Sequence, residues 1–245
     1  MDIEKLRSVT KDRIGKSVTY KVCSFNQVAN NSATKAEDTE QDSGNVIYPI
    51  INTTNFLDSH GDVHAKGIWG EEPIEGISYI IDHNYGVDGL VASPKDVRVY
   101  VERLRWKQLG LDINGTTDAL RFEVTLQDYA NDKFVKALKA GVPLQNSVRM
   151  IYEDLSLCVN NSDFKDEYAN WNKYLKEVAN QEDAMELGYF WYVKKARVFL
   201  EGSAVLRGSN NMTPMQTKEE ENTGDEPITN KEEGVKTTPV WLNLM

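Results

Sequence analysis

Apolar and polar positions alternate over residues 17–25 (SVTYKVCSF), the two-residue period of a half-buried strand. A second β-rich run, 46–55 (VIYPIINTTN), is broken by Pro49, which lacks a backbone donor and predicts an edge strand or a bulge. Residues 74–81 (IEGISYII) lead through a turn at 86–89 into three further predicted strands at 89–93, 96–106 and 119–126. At 128–140 (DYANDKFVKALKA) the period changes. Phe134, Val135 and Leu138 fall at helical spacing, and Gly141 ends the helix. Residues 146–159 (NSVRMIYEDLSLCV) return to strand. Over 161–187 Phe164, Tyr168, Trp171, Leu175 and Val178 recur three or four apart, which predicts a helix or helix pair covering its own sheet. Residues 189–200 (YFWYVKKARVFL) are again strongly β-prone.

Two stretches lack this patterning. Residues 26–45 carry almost no large apolar group and read as a flexible loop. Residues 209–238 are rich in Glu, Thr, Asn and Lys, and precede a short apolar group that includes Trp241 and Leu242. The expected organisation is an N-terminal segment (1–16), a domain over 17–208 with the loop at 26–45 and a helical insertion at 157–188, and an acidic disordered tail (209–245). The fold class is α+β. With 245 residues and 40% hydrophobic content, the chain can bury a core of good size.

Charge narrows the partners. The net charge of -10 argues against nucleic acid, because phosphate binding needs a basic surface. No window reaches the roughly 18 apolar residues of a membrane span, and the N-terminus shows no apolar signal region. Neither nucleic acid nor membrane is expected as a partner. Cys23 and Cys158 lack CxxC spacing and are expected to be two reduced thiols in a reducing compartment.

Ser147 is the best placed nucleophile, after an amphipathic helix and at the start of an apolar run. The chain has only three histidines, His60, His64 and His83. His83 lies where the Ile-rich 77–82 segment enters a loop. Glu201 interrupts an apolar run, where a carboxylate is costly unless paired. Hydroxyl, imidazole and carboxylate together could form a nucleophile–base–orienter set. Other readings stay open. His83 could be a surface loop residue and Glu201 an outward-facing strand residue. His60 and His64 lie in a polar turn and, with Asp62, could hold a metal, although no further ligand cluster accompanies them. Backbone N–H groups near Gly202 or near Ser147–Arg149 could form an oxyanion hole. No cofactor is expected.

Four blocks resemble the tailed-phage prohead proteases, the HK97-like serine protease family. Residues 55–67 (NFLDSHGDVHAKG) resemble its early D-x-x-G-D-x-x-x-x-G stretch. Residues 80–91, with His83, look like its histidine loop and the strand after it. Residues 134–148 look like its helix, Gly, then Ser-Val nucleophile block. Residues 200–214 (LEGSAVLRGSNNMTP) look like its closing E-x-S-x-V and Asn/Pro block. The likeness spans about 46–214. Arg149-Met150 replaces the usual Gly-Phe/Tyr after Ser-Val, and the last block departs from the simple Pro-Ala-Asn form.

The resemblance implies a β-barrel-like sheet with flanking helices, similar to the herpesvirus assemblins. It implies a serine endopeptidase of capsid maturation with Ser147, His83 and Glu201 as catalytic residues. Arg149, Gly202 and His64 are secondary or oxyanion candidates, His64 because the assemblins use a second histidine as third member. The implied partners are the major capsid protein, the scaffold protein and further copies of this chain. The implied place is the viral procapsid in the host cytoplasm, with self-cleavage. The alternative is a capsid assembly protein that kept the fold and lost the activity.

Overall fold

The computed structural model describes residues 2–18, 45–210, 212, 213 and 215. Helix α1 (Ile3–Arg13) is followed by strands β1 (Ser17–Val18), β2 (Val46–Ile47), β3 (Ile50–Thr53), β4 (Asp62–His64), β5 (Ser78–Ile81), β6 (Leu90–Ala92), β7 (Val97–Arg105) and β8 (Thr116–Thr125). Then come α2 (Asp132–Lys139), β9 (Gln145–Val159), α3 (Lys165–Tyr174), α4 (Gln181–Leu187) and β10 (Tyr189–Val205). The fold is α+β. Among the described residues no helix is long and apolar enough to cross a membrane.

The strands form two sheets. One is six-stranded, in the order β1-β9-β10-β5-β6, with β4 also paired to β10. The other centres on β8, with β7 along one edge and β2 and β3 in succession along the other. Pro49 separates β2 from β3, as a residue without an N–H should. Among the described residues no strand ladder joins the sheets, so the expected barrel is not closed. The main core lies between them, built from Ile51, Phe122 and Val124 of one sheet and Tyr79, Val91, Val148, Met150 and Val193 of the other, with Phe134 of α2. Burial of such side chains contributes about 1.5–3 kcal/mol each.

Several expected boundaries move. Only Ser17–Val18 of the 17–25 strand lies within the described residues, pairing antiparallel with Met150 and Ile151. The flexible loop proposed for 26–45 falls, but for Asn45, outside them. Helix α2 starts four residues later than the pattern predicts. Asn131 caps it, its side chain accepting from the N–H groups of Lys133 and Phe134, and the preceding residues turn. The helical insertion begins later than 157, because β9 runs on to Val159 before α3 and α4. Its stripe does cover the sheet. Trp171 packs against Phe190 with ring centroids 5.3 Å apart, and Tyr174 stacks on Tyr192 at 4.1 Å.

The tail boundary at 209 also shifts. Asn210, Met212 and Thr213 are buried: Asn210 bonds to β3, Thr213 to β9, and Met212 packs with Phe56 and Trp106. The rest of that tail lies largely outside the described residues. Cys158 is a buried free thiol whose pKa desolvation pushes up to about 12, so it stays protonated. Cys23 lies outside the described residues.

Candidate active site

Strand alternation decides which side chains of β9 meet which. Asn146, Val148, Met150 and Tyr152 are buried, whereas Ser147, Arg149 and Ile151 take the opposite face and are half-buried. Ser147 stands directly opposite Ser203 on β10, and Val148 opposite Gly202. Residues opposed in this way share a sheet face. Glu201, two residues before Ser203, belongs to the Ser147 face as well.

Glu201 reaches this position through an irregularity in β10. Val198 pairs with Met150 and Gly202 with Val148, so β10 carries four steps where β9 carries two. Leu200 absorbs the excess with a φ of 68° and is turned out to 47% exposure, while Glu201 is fully buried. The carboxylate lies under the chain that leaves β5, which runs parallel to this part of β10.

That chain carries His83. Asn84 N–H donates to Ile81 O at 2.8 Å, and φ is 49° at Asp82 and 55° at His83, the values of a type I′ turn. The turn lays the imidazole between the strands. His83 Nδ1 lies 2.6 Å from Glu201 Oε1, and Nε2 lies 3.1 Å from Ser147 Oγ. A carboxylate only accepts, so Nδ1 carries the proton and the lone pair of Nε2 faces the serine O–H. The imidazole is 13% exposed. The fold thus brings together these three residues, 64 and 118 positions from one another by way of His83.

The secondary candidates are placed differently. Arg149 shares the Ser147 face. Its Nη1 donates to Tyr85 Oη at 3.0 Å, and its guanidinium sits 5.1 Å from the Tyr85 ring centroid. The Tyr85 hydroxyl is raised above its ordinary pKa by burial and by the nearby Glu201 charge. Gly202 backs onto the core. A Cβ there would lie 2.6 Å from Phe122 Cε2 and 2.9 Å from Cζ, so glycine is required by close approach. Gly202→Ala is expected to cost about 1–3 kcal/mol by overpacking against a fully buried ring. Urea unfolding of the variant measures this.

His64 does not belong to the Ser147–His83–Glu201 set. It sits on buried β4 rather than in a polar turn, because β4 pairs in parallel with β10. Its Nε2–H donates to Tyr152 Oη at 3.0 Å, and Tyr152 O–H donates to Asp62 Oδ2 at 2.9 Å. Asp62 is also paired with Arg13, whose guanidinium stacks 3.9 Å from the Trp191 ring centroid. Asn52 Nδ2 faces His64 Nδ1 at 3.4 Å. The third position beside His83 is held by Glu201. The metal reading of His60, Asp62 and His64 fails on the same contacts, and among the described residues no group of three such side chains is arranged to hold an ion.

Burial strongly perturbs this network. Desolvation and the Asp62 charge push Asp58 up from 3.8 to about 8, and desolvation lowers His64 from 6.5 to about 4. The folded state therefore binds more protons at Asp58 than the unfolded chain. That stability is complete below about pH 4 and is lost as pH rises through 8. The His64 contribution has the opposite sign: complete above 6.5, lost as pH falls towards 4. Of these two contributions, only that of Asp58 changes between pH 6.5 and 8. Stability is expected to fall there by up to about 1.4 kcal/mol per pH unit. Asp58→Asn, which keeps the acceptor for the His60 and Asp62 N–H groups, should flatten the slope in urea titrations.

Asn146, next to Ser147, was not singled out by the sequence. Its Oδ1 accepts from Tyr79 O–H at 2.6 Å, its Nδ2 donates to Thr213 O at 3.1 Å, and its carbonyl accepts from Thr213 Oγ1 at 2.8 Å. Thr213 thus clamps the strand end that carries Ser147. The only sequence signal was the Asn/Pro block of the family likeness. No family model, no curated protein and no solved structure matches this chain.

Proposed function

We propose that the chain is a serine endopeptidase acting by acyl transfer. The observation that carries this reading is the hydrogen-bonded line from Ser147 Oγ through His83 to buried Glu201. Ser147 Oγ attacks the scissile carbonyl as His83 Nε2 takes its proton. The tetrahedral intermediate expels the amine, which receives that proton from the imidazolium. Water then attacks the acyl-enzyme with the same base, and Ser147 leaves as the free hydroxyl. Glu201 fixes the Nδ1–H tautomer and stabilises the imidazolium.

The four blocks resembling prohead proteases, in order along the chain, support a role in phage capsid maturation. The α+β class, with two sheets around a shared core, agrees with the fold class that the likeness implies, though without a closed barrel among the described residues. In this reading the enzyme acts inside the procapsid in the host cytoplasm, as one of several copies. It removes scaffold, or the N-terminal segment of the major capsid protein, and processes itself. Co-expression with the major capsid and scaffold proteins, followed by mass spectrometric mapping of termini, tests this. New internal termini are expected with the wild type and none with Ser147→Ala. Identical termini in both samples would refute the role.

A further inference from the structure

We infer that Ser203 is a positioning residue that holds the general base in place, an inference that rests on the endopeptidase reading. Its hydroxyl is fully buried on β10, on the sheet face it shares with Ser147 and Glu201. It accepts from the backbone N–H of His83 at 2.9 Å and donates towards Ile80 O at 3.3 Å.

The turn explains why that hydrogen bond matters. Asp82 and His83 are both left-handed, at φ 49° and 55°, a conformation that costs a residue with a side chain roughly 1–2 kcal/mol. Glycine or asparagine would ordinarily fill such positions. The Asn84 N–H closes the turn on Ile81 O, and the Asp82 N–H joins the ladder to Ala204 O. The N–H of His83 has neither partner. The Ser203 hydroxyl takes it, and its own proton goes to the carbonyl of Ile80, two residues before the turn's first left-handed residue. One side chain thereby ties the strained turn to the strand that supplies Glu201.

The consequence is geometric. β10 presents Glu201 to Nδ1 and Ser203 to the main chain of the same histidine, so imidazole and backbone are registered against one strand. Without the hydroxyl, the turn can relax towards right-handed φ values and carry Nε2 away from Ser147. A displacement of about 1 Å is enough to cost 10²-fold in rate.

The test uses the full chain, an alkyl fluorophosphonate as probe, and amide hydrogen exchange. Ser203→Ala is expected to slow phosphonylation of Ser147 by about 10- to 100-fold. The thermal midpoint should stay within a few degrees of wild type, and the His83 amide should exchange faster. Asp82→Gly added to Ser203→Ala should recover part of the rate, because glycine adopts left-handed φ without strain. Equal labelling of Ser203→Ala and wild type would overturn the inference while leaving the endopeptidase reading intact. No labelling of the wild type would instead refute that reading. If Ser203→Ala does not fold, wild-type exchange decides: a His83 amide as fast as an unprotected peptide overturns the inference.

Discussion

Ser147→Ala is expected to lower peptide hydrolysis by about 10⁴- to 10⁶-fold, with the fold unchanged. The effect is large because nucleophile and base act as one unit. Without the hydroxyl there is no acyl-enzyme, and His83 has no proton to move. Ser147 lies on the face of β9 away from the main core, so loss of one oxygen leaves Val148 and Met150 in their packing. His83→Ala should fall into the same range, and the double variant should be hardly worse than either single one. Strictly additive losses in kcat/KM would mean that the two side chains act independently, against the 3.1 Å contact between them.

Glu201→Gln is expected to lower kcat by about 10²- to 10⁴-fold and leave KM little changed. The amide carries no charge to offset the imidazolium. Its NH₂ group can also face Nδ1 and force the proton onto Nε2, which then cannot accept from Ser147. Stability should move the other way. Glu201 is fully buried and, among the described residues, its Oε2 has no hydrogen-bond partner. Burying such a charge is costly, and a neutral isostere relieves the cost. A loss of turnover with an unchanged or raised thermal midpoint is therefore the expected pair of results. Unchanged turnover would remove Glu201 from the mechanism.

Ser147 was legible from its place between a helix and an apolar run, and Glu201 and His83 because each breaks a local pattern. A carboxylate inside the apolar run around Glu201 is expensive, and a histidine closing an Ile-rich strand is rare when the chain has three. Period-two and helical spacing also located most strands and α2. What stayed illegible depends on distant partners. His64 looked like part of a polar turn because Tyr152, which takes its Nε2–H, lies 88 positions away, and Arg13 lies 49 positions from Asp62. Asn210 and Thr213 looked like tail because their polar side chains carry no periodic signal, yet Asn210 bonds to β3, Thr213 to β9, and the two to each other. The extra residues of β10 at Leu200 are invisible to alternation, since an even excess keeps side-chain parity while shifting the register. That shift brings Glu201 beneath His83.

In the proposed mechanism His83 activates Ser147. Treating the full chain with a fluorophosphonate and locating the adduct by tandem mass spectrometry tests it most directly. The expected result is a single adduct on Ser147 that disappears in His83→Ala. An adduct on another serine, or undiminished labelling of Ser147 without His83, would contradict it.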